Sequence, residues 1–455
     1  MQQYAKIFFT RGDIWYIDSS RFSGQRLSPG CIALDKKLFQ HTSAPLRGKG
    51  IGVSATALGI ADASAQGWSI LHEDVSLPAA VLRHEALLHN LEWMRRFTAA
   101  YGVHLAPHGK TTMSPELFRL QLQSGAWGIT VATAPQAREA WLAGARRILM
   151  ANQLVGKANM AIVAELLRDA GTELFCLVDS PDNVAALGGY FRPQALRVGV
   201  LLEIGAAGGR TGVRDAAQVH AVIAELARWP DAVQLAGVEV YEGVAPDEAG
   251  VRAILQHTVT TFQQLHQAGA LARRPALVSG AGSAWFDVVA EEFSVLAGDP
   301  GIEVVLRPGC YLTHDVGIYR DAAKRIHASN PVARQMGSSL QPALQLWAYV
   351  QSRPEPGKAI IALGKRDAAF DAGFPVPALH YRPGTAAPVA AAGHWKITAM
   401  MDQHAFLDVG DQDDLRVGDM LCFDISHPCL TFDKWRHLLV VDDAYTVVDA
   451  ISTQF

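Results

Sequence analysis

Several short stretches of this chain combine residue types that do chemistry. In HLAPHGKTTMSPE, Lys110 stands on a bend between an apolar segment and a helix start, where Ser114 is the cap and Pro115 the first helical residue. A lysine amine partly desolvated among Pro, Gly and Thr suits Schiff-base chemistry. By position alone the plainer reading, a solvated loop lysine, is the stronger one. In PALVSGAGSAWFDVV, Ser279, Gly280, Gly282 and Ser283 form a turn whose backbone can approach an anion and whose N–H and hydroxyl groups can donate to a phosphate. An ordinary strand-to-helix turn would read the same way. LRPGCYLTHD offers a second such turn at Gly309, Cys310 and Tyr311. EIGAAGGRTGV holds Arg210 in a Gly-rich loop, where a guanidinium can bind an anionic or phenolic oxygen or pair with a nearby acid. VEVYEG puts Tyr241 at a strand end, against a cofactor ring or as a cap on the core.

FDISHPCLTFDKW spaces His427 and Cys429 two apart. On extended backbone they face the same side, and Pro428 between them suits a strand end or edge. Imidazole with thiolate is a good zinc pair, although a catalytic zinc usually has three protein ligands. A core cysteine beside a hydrogen-bonded histidine would look alike. Cys176 and Cys422 lie in apolar runs and read as core thiols.

Positioning such residues requires a scaffold, and the hydrophobic pattern supplies one. From Leu77, LPAAVLR reads as a strand and HEALLHNLEWMRRFTAAYG as a helix with Leu87, Leu88, Leu91 and Met94 on one face. Strand-like runs then alternate with helical ones: HLAPH, GITVAT, RILMAN, ELFCLVD, LRVGVLLEIG, VQLAGVEVY, PALVSG and IEVVLRPG. Several are continuous in Val, Ile and Leu, as in strands buried on both faces. These eight βα units over roughly 230 residues predict a (β/α)8 barrel, with an open doubly wound sheet as the alternative. In a barrel Lys110 ends the first strand, and the two Gly turns follow strands seven and eight, a recurrent place for phosphate. After about Tyr319 the helical period fades. LQLWAYVQS, KAIIALG, HWKITAMMDQHAFLDV, DMLCFDIS and RHLLVVDD predict an antiparallel domain, with FPVPALHYRPGTAAP as a loop. The division expected is an N-terminal extension over 1–75, a barrel over 76–325 and a C-terminal β domain over 326–455. The extension, with short strands or helices, packs on the body or covers its mouth.

The 455 residues are 49% hydrophobic and 18% charged, which allows about two domains and argues against disorder. A net charge of -4 gives no reason to expect nucleic acid or an anionic membrane as partner. Five cysteines without CxxC spacing make no disulfide framework. With no signal-peptide pattern and no window of ~20 apolar residues, a soluble cytoplasmic protein is expected.

Taken in order, PHGKTTMSPE with LQLQSGAWGITVATAPQA, RTGV, SGAGS, RPGCY and SHPC resemble the D-serine dehydratase and D-threonine aldolase family. That family consists of pyridoxal 5'-phosphate (PLP) enzymes with the alanine-racemase-like fold, fold type III. The resemblance runs from about Leu77 to Phe455. It implies that Lys110 carries PLP as a Schiff base, that Arg210 contacts the cofactor's phenolic oxygen, and that the SGAGS loop and Gly309, Cys310 and Tyr311 hold its phosphate. It also implies that the strand Leu77–Arg83 leads in beside the β domain, and that the protein is a homodimer. His-x-Cys marks zinc-using dehydratase-like members, and His-x-Asp marks aldolase-like members that use other divalent ions. SHPC therefore favours the dehydratase branch. Family members often carry an acidic pair before a histidine in the preceding strand. Here MMDQHAFLDV keeps His404 and has Gln403 in place of an acid.

The function expected is dehydration and deamination of a 3-hydroxy-D-amino acid, D-serine-like, to a 2-oxo acid and ammonia, with zinc or another divalent metal assisting loss of hydroxide. The alternatives are a retro-aldol cleavage to glycine and an aldehyde, and a non-catalytic PLP carrier.

Overall fold

The computed structural model describes residues 45–53 and 58–455. The short elements expected over 1–44 and 54–57 lie outside the described residues. Strand β1 (Ala79–Arg83) is followed by helix α1 (His84–Tyr101), which Gly102 ends in the left-handed conformation at φ 65°. The buried face of α1 runs through Leu87, Asn90, Trp93, Met94 and Phe97. Leu88 and Leu91 are only half-buried, so the face is rotated from the one the Leu spacing predicted. Asn90 accounts for the rotation: its side chain bonds the Leu312 and Gln341 carbonyls and accepts from the Gln341 N–H.

Eight parallel strands follow: β2 (His104–Leu105), β3 (Ile129–Val131), β4 (Arg147–Gln153), β5 (Glu173–Val178), β6 (Val198–Ile204), β7 (Val233–Val240), β8 (Ala276–Gly280) and β9 (Ile302–Leu306). They pair in the order β2-β9-β8-β7-β6-β5-β4-β3. The seam between β2 and β3 closes through the parallel His108–Thr130 bridge and the Trp127 N–H to Leu105 carbonyl bond of 2.7 Å. These are the eight strands expected, curled into a barrel rather than left as an open sheet. Ala106, Trp127, Leu149, Phe175, Leu177, Leu201, Ala236, Leu277 and Val305 form one buried cluster drawn from these strands and their ends. Capping side chains start the intervening helices: Ser114, Thr133, Ser180, Asp215 and Asp247 each accept a bond from the backbone N–H three residues on.

The C-terminal strands are β10 (Leu344–Glu355), β11 (Lys358–Ile361), β12 (Val376–Tyr381), β13 (Val389–Ala390), β14 (Lys396–Met400), β15 (Ala405–Asp408), β16 (Met420–Asp424), β17 (His437–Val441) and β18 (Val447–Ser452). The pairing is antiparallel except where β1 enters, parallel to β17 and antiparallel to β10. Strand β1 thus belongs to this sheet, as the resemblance implied. The described part of the N-terminal segment packs here too: Leu46, Ile51, Ile60, Trp68 and Ile70 share a core with Trp347, Met420, Leu439 and Tyr445.

Two readings of the C-terminal third need correction. Helical structure persists beyond Tyr319, in Ile318–Ser329 and Pro331–Met336. Only Ile326 is buried in the first of these helices, so it shows almost no hydrophobic period. The segment read as a loop contains β12, whose Pro377 is tolerated because the register with β16 shifts between Pro377 and Leu379. Among the described residues no helix is long and apolar enough to cross a membrane.

Candidate active site

The C-terminal ends of the barrel strands gather the predicted residues at one rim. Lys110 lies in the 3-10 turn Gly109–Thr111 beyond β2. Glu116, fully buried, anchors the helix that follows (Pro115–Gln123) by accepting bonds from Ser114 Oγ and from the N–H and hydroxyl of Ser452 in β18. Lys110 itself is exposed, so the desolvation expected from its neighbours is not found. The turn's depth comes from other residues. His108 is held well below the usual histidine pKa by burial and by the Lys110, Arg307 and Arg210 charges, and its Nδ1 has no hydrogen-bond partner.

The loops after β8 and β9 are stitched together. Ser283 Oγ accepts from both the Gly309 N–H (3.1 Å) and the Cys310 N–H (3.0 Å). A Cβ on Gly309 would stand 2.5 Å from Thr111 Oγ1 and 2.7 Å from the His108 carbonyl, so glycine lets this loop lie against the lysine turn. Gly280 and Gly282 were expected to let the backbone approach an anion; the Gly282 N–H, with that of Ala281, instead donates to the buried Glu242 carboxylate, at 2.7 and 3.1 Å. Burial raises the pKa of Glu242. Gly280 is buried at the end of β8. Ser279 Oγ donates to the Val305 carbonyl within the barrel wall, and the Tyr311 hydroxyl accepts from Gln121 at 3.0 Å. Arg210 stacks over the Tyr241 ring, 4.4 Å from its centroid, and burial raises the Tyr241 pKa.

Beneath the rim, Arg307 is paired with Glu239 and also donates to the Val240 carbonyl at 3.1 Å. Burial outweighs the Arg307 charge and carries the Glu239 pKa up to about 7. Arg307 Nε is buried without a partner. Both residues were legible as charges interrupting apolar strand ends, in VEVYEG and LRPG, where two-sided burial makes a charge expensive.

His427 and Cys429 do come together, but not on extended backbone. Cys429–Phe432 is a helical turn that Pro428 starts at φ -61° and ψ -47°. The His427 side chain hydrogen-bonds Cys429 across Pro428. Its Nδ1 is 2.8 Å from Asp371 Oδ2. Burial works to lower the His427 pKa, but the bonds and charges of Cys429 and Asp371 carry it up to about 9. Cys429 is driven towards thiolate by a hydrogen bond from Cys310 and by His427. Cys429 Sγ also lies 3.4 Å from Thr111 Oγ1, so the pair borders the lysine turn. Among the described residues no three His, Cys, Asp or Glu side chains already form a metal-holding array. His404 is exposed in the turn between β14 and β15. Asp371 carried no sequence signal, because a loop far away in the chain delivers it. Cys176 and Cys422 are buried thiols, as expected.

Comparison with known proteins agrees with this geometry. The alanine racemase N-terminal domain family matches residues 82–304, and a serine dehydratase domain family matches residues 343–441. The D-threonine aldolase of an Arthrobacter species is 28% identical over 378 residues, covering 81% of this chain and 90% of that protein. The D-threo-3-hydroxyaspartate dehydratase of a Delftia species is 36% identical over 137 residues, 30% of this chain and 35% of that one. The crystal structure of D-threonine aldolase from Filomicrobium marinum superposes with a TM-score of 0.70 at 24% identity, covering 85% of this chain and 97% of that one. The chain therefore joins an alanine racemase-like barrel to a D-serine dehydratase-like β domain in the alanine-racemase-like fold, and its homologues are fold-type III PLP enzymes.

Proposed function

We propose that this protein is a lyase acting on 3-hydroxy-D-amino acids, and that its reaction is dehydration and deamination to a 2-oxo acid and ammonia. The observation that carries the choice is the His427–Cys429 pair, oriented by Asp371 and bordering the lysine turn through Thr111. A soft thiolate with imidazole suits zinc at a site where a hydroxyl must leave.

The residues present fit both groups. Buried His108 Nδ1 and Arg307 Nε lack partners, and two backbone N–H groups converge on the single oxygen of Ser283. Lys110 would carry PLP. Arg210 and Tyr241 would line its ring. The turn of Ser279, Gly280, Gly282 and Ser283, with Gly309, Cys310 and Tyr311, would surround its phosphate. Bound there, PLP supplies an electron sink for a carbanion at the substrate Cα. Lys110 would also be the base that takes the Cα proton. Glu239 pairs with Arg307 below the rim, so this cation is held away from solvent. His427 and Cys429 would hold a divalent metal, which supplies a Lewis acid at the departing hydroxyl.

A second reading, retro-aldol cleavage to glycine and an aldehyde, is favoured by the 378-residue match to a D-threonine aldolase. It needs the proton taken from the hydroxyl instead of Cα. A panel of 3-hydroxy-D-amino acids, assayed for both 2-oxo acid and glycine with and without chelator, separates the two. Chelator-sensitive 2-oxo acid with no glycine is expected, and glycine as the main product would transfer the assignment to the aldolase reaction.

A further inference from the structure

The sulfur of Cys310 and that of Cys429 stand 3.7 Å apart. They come from different parts of the chain, Cys310 from the loop after β9 and Cys429 from the turn before β17. Two thiolates on one tetrahedral zinc, at about 2.3 Å each, are separated by roughly 3.8 Å. Two touching thiols would show the same spacing, so the surroundings must decide between these cases.

They point to a cation. Cys310 is 3% exposed, with Thr111 Oγ1 3.9 Å from its sulfur and the Tyr319 side chain hydrogen-bonded to it. Asp315, 1% exposed, donates nothing and accepts at Oδ1 from the Gly317 and Tyr319 N–H groups. Its Oδ2 is buried with no hydrogen-bond partner, and His427 and Cys429 are among the charged groups it feels. A desolvated carboxylate oxygen left without a donor costs free energy unless positive charge is nearby. His427 spends Nδ1 on Asp371, which leaves Nε2 as its ligating nitrogen, the arrangement that fixes a metal-binding imidazole. Thr111, beside Lys110, touches both sulfurs, at 3.4 and 3.9 Å.

We propose that Cys310 is a third protein ligand, so that His427, Cys429 and Cys310 bind one thiophilic divalent metal with its fourth position open towards the lysine turn. This rests on the reading of His427 and Cys429 as the metal pair. The three donors do not yet meet at metal–ligand distance, so binding must draw His427 Nε2 towards the two sulfurs and release the protons that these ligands carry. Three ligands and one open position is the composition of a catalytic zinc site, which two ligands alone do not reach. The same residue would tie the metal to the phosphate side of the cofactor site, because the Cys310 N–H already bonds Ser283.

The test uses PLP-loaded protein with its metal exchanged for cobalt(II), whose sulfur-to-metal charge-transfer band scales with the number of bound thiolates. Wild type should show two thiolates. Cys310→Ser and Cys310→Ala should each halve the band and weaken zinc, measured by chelator competition, by at least roughly 100-fold, more than an outer partner accounts for. Cys429→Ala should also halve the band, and His427→Ala should weaken the metal while keeping it. If both Cys310 variants keep the full band and zinc affinity while Cys429→Ala loses them, Cys310 is only a neighbour and the proposal fails. If Cys429→Ala and His427→Ala also leave metal binding untouched, the pair itself is wrong. Cys310→Ser preserves side-chain volume, so a change in its spectrum at unchanged near-ultraviolet circular dichroism cannot be laid to misfolding.

Discussion

Replacing Gly309 by alanine probes the contact that joins the loop after β9 to the lysine turn. Gly309 has φ -100° and ψ -36°, a conformation alanine adopts without strain. Only space is at issue. The added methyl would meet Thr111 Oγ1 at 2.5 Å, the His108 carbonyl at 2.7 Å and His108 Cβ at 2.9 Å. The carbonyl cannot rotate away, so the loop and the turn must part by at least about 0.7 Å to restore ordinary contact with it. Overpacking of this kind costs about 1–3 kcal/mol. Because the clash lies between the two segments that would hold opposite ends of PLP, most of that cost should appear in cofactor binding, as a roughly 10- to 100-fold weaker dissociation constant. Titrating the apo-protein with PLP by absorbance measures it. Gly189→Ala makes the same chemical change on an exposed helix with nothing within 4 Å, and should leave PLP binding unchanged while stabilising the fold slightly. A Gly309→Ala protein that binds PLP like wild type, yet melts earlier, would show that this loop is not part of the cofactor site.

Glu242 occupies N–H groups of the turn after β8, so a phosphate arriving there must displace or neutralise it. Its raised pKa means that PLP should bind more tightly as pH falls through that value, and Glu242→Gln should bind PLP more tightly at pH 8 and lose this pH dependence. Glu239 has a folded pKa of about 7, above its unfolded value, so the stability it contributes is present in full at low pH and is lost as pH rises through 7. Denaturant unfolding of Glu239→Gln should therefore match wild type near pH 5 and exceed it near pH 8.5; a less stable variant at both would show that the ion pair outweighs burial. Asp371→Ala should weaken metal by roughly 10- to 100-fold through loss of imidazole orientation, read by chelator competition with the PLP absorbance unchanged.

The barrel was legible because its strands are continuous apolar runs and its helices begin at Ser, Thr and Asp caps. Those signals are local. The helix Ile318–Ser329 and strand β12 were not, because one fully buries only Ile326 and the other carries Pro377 at a register shift. At the site, Lys110, Ser283, Gly309 and Cys310 could be placed from strand ends alone. The pairing of Arg307 with Glu239, the capture of two loop N–H groups by Glu242, and the arrival of Asp371 at His427 are contacts between distant segments, and no spacing announces them. The His427–Cys429 pair shows the limit in another way. The two side chains meet as expected, but on a helical turn that Pro428 starts, and not on a strand.

The most direct test of the central claim is to reduce the PLP-loaded protein with borohydride, digest it and locate the pyridoxyl group by mass spectrometry. The account predicts a single modified peptide carrying the group on Lys110, and no visible cofactor band in Lys110→Ala. A pyridoxyl group on another lysine, or an undiminished band in Lys110→Ala, would contradict it.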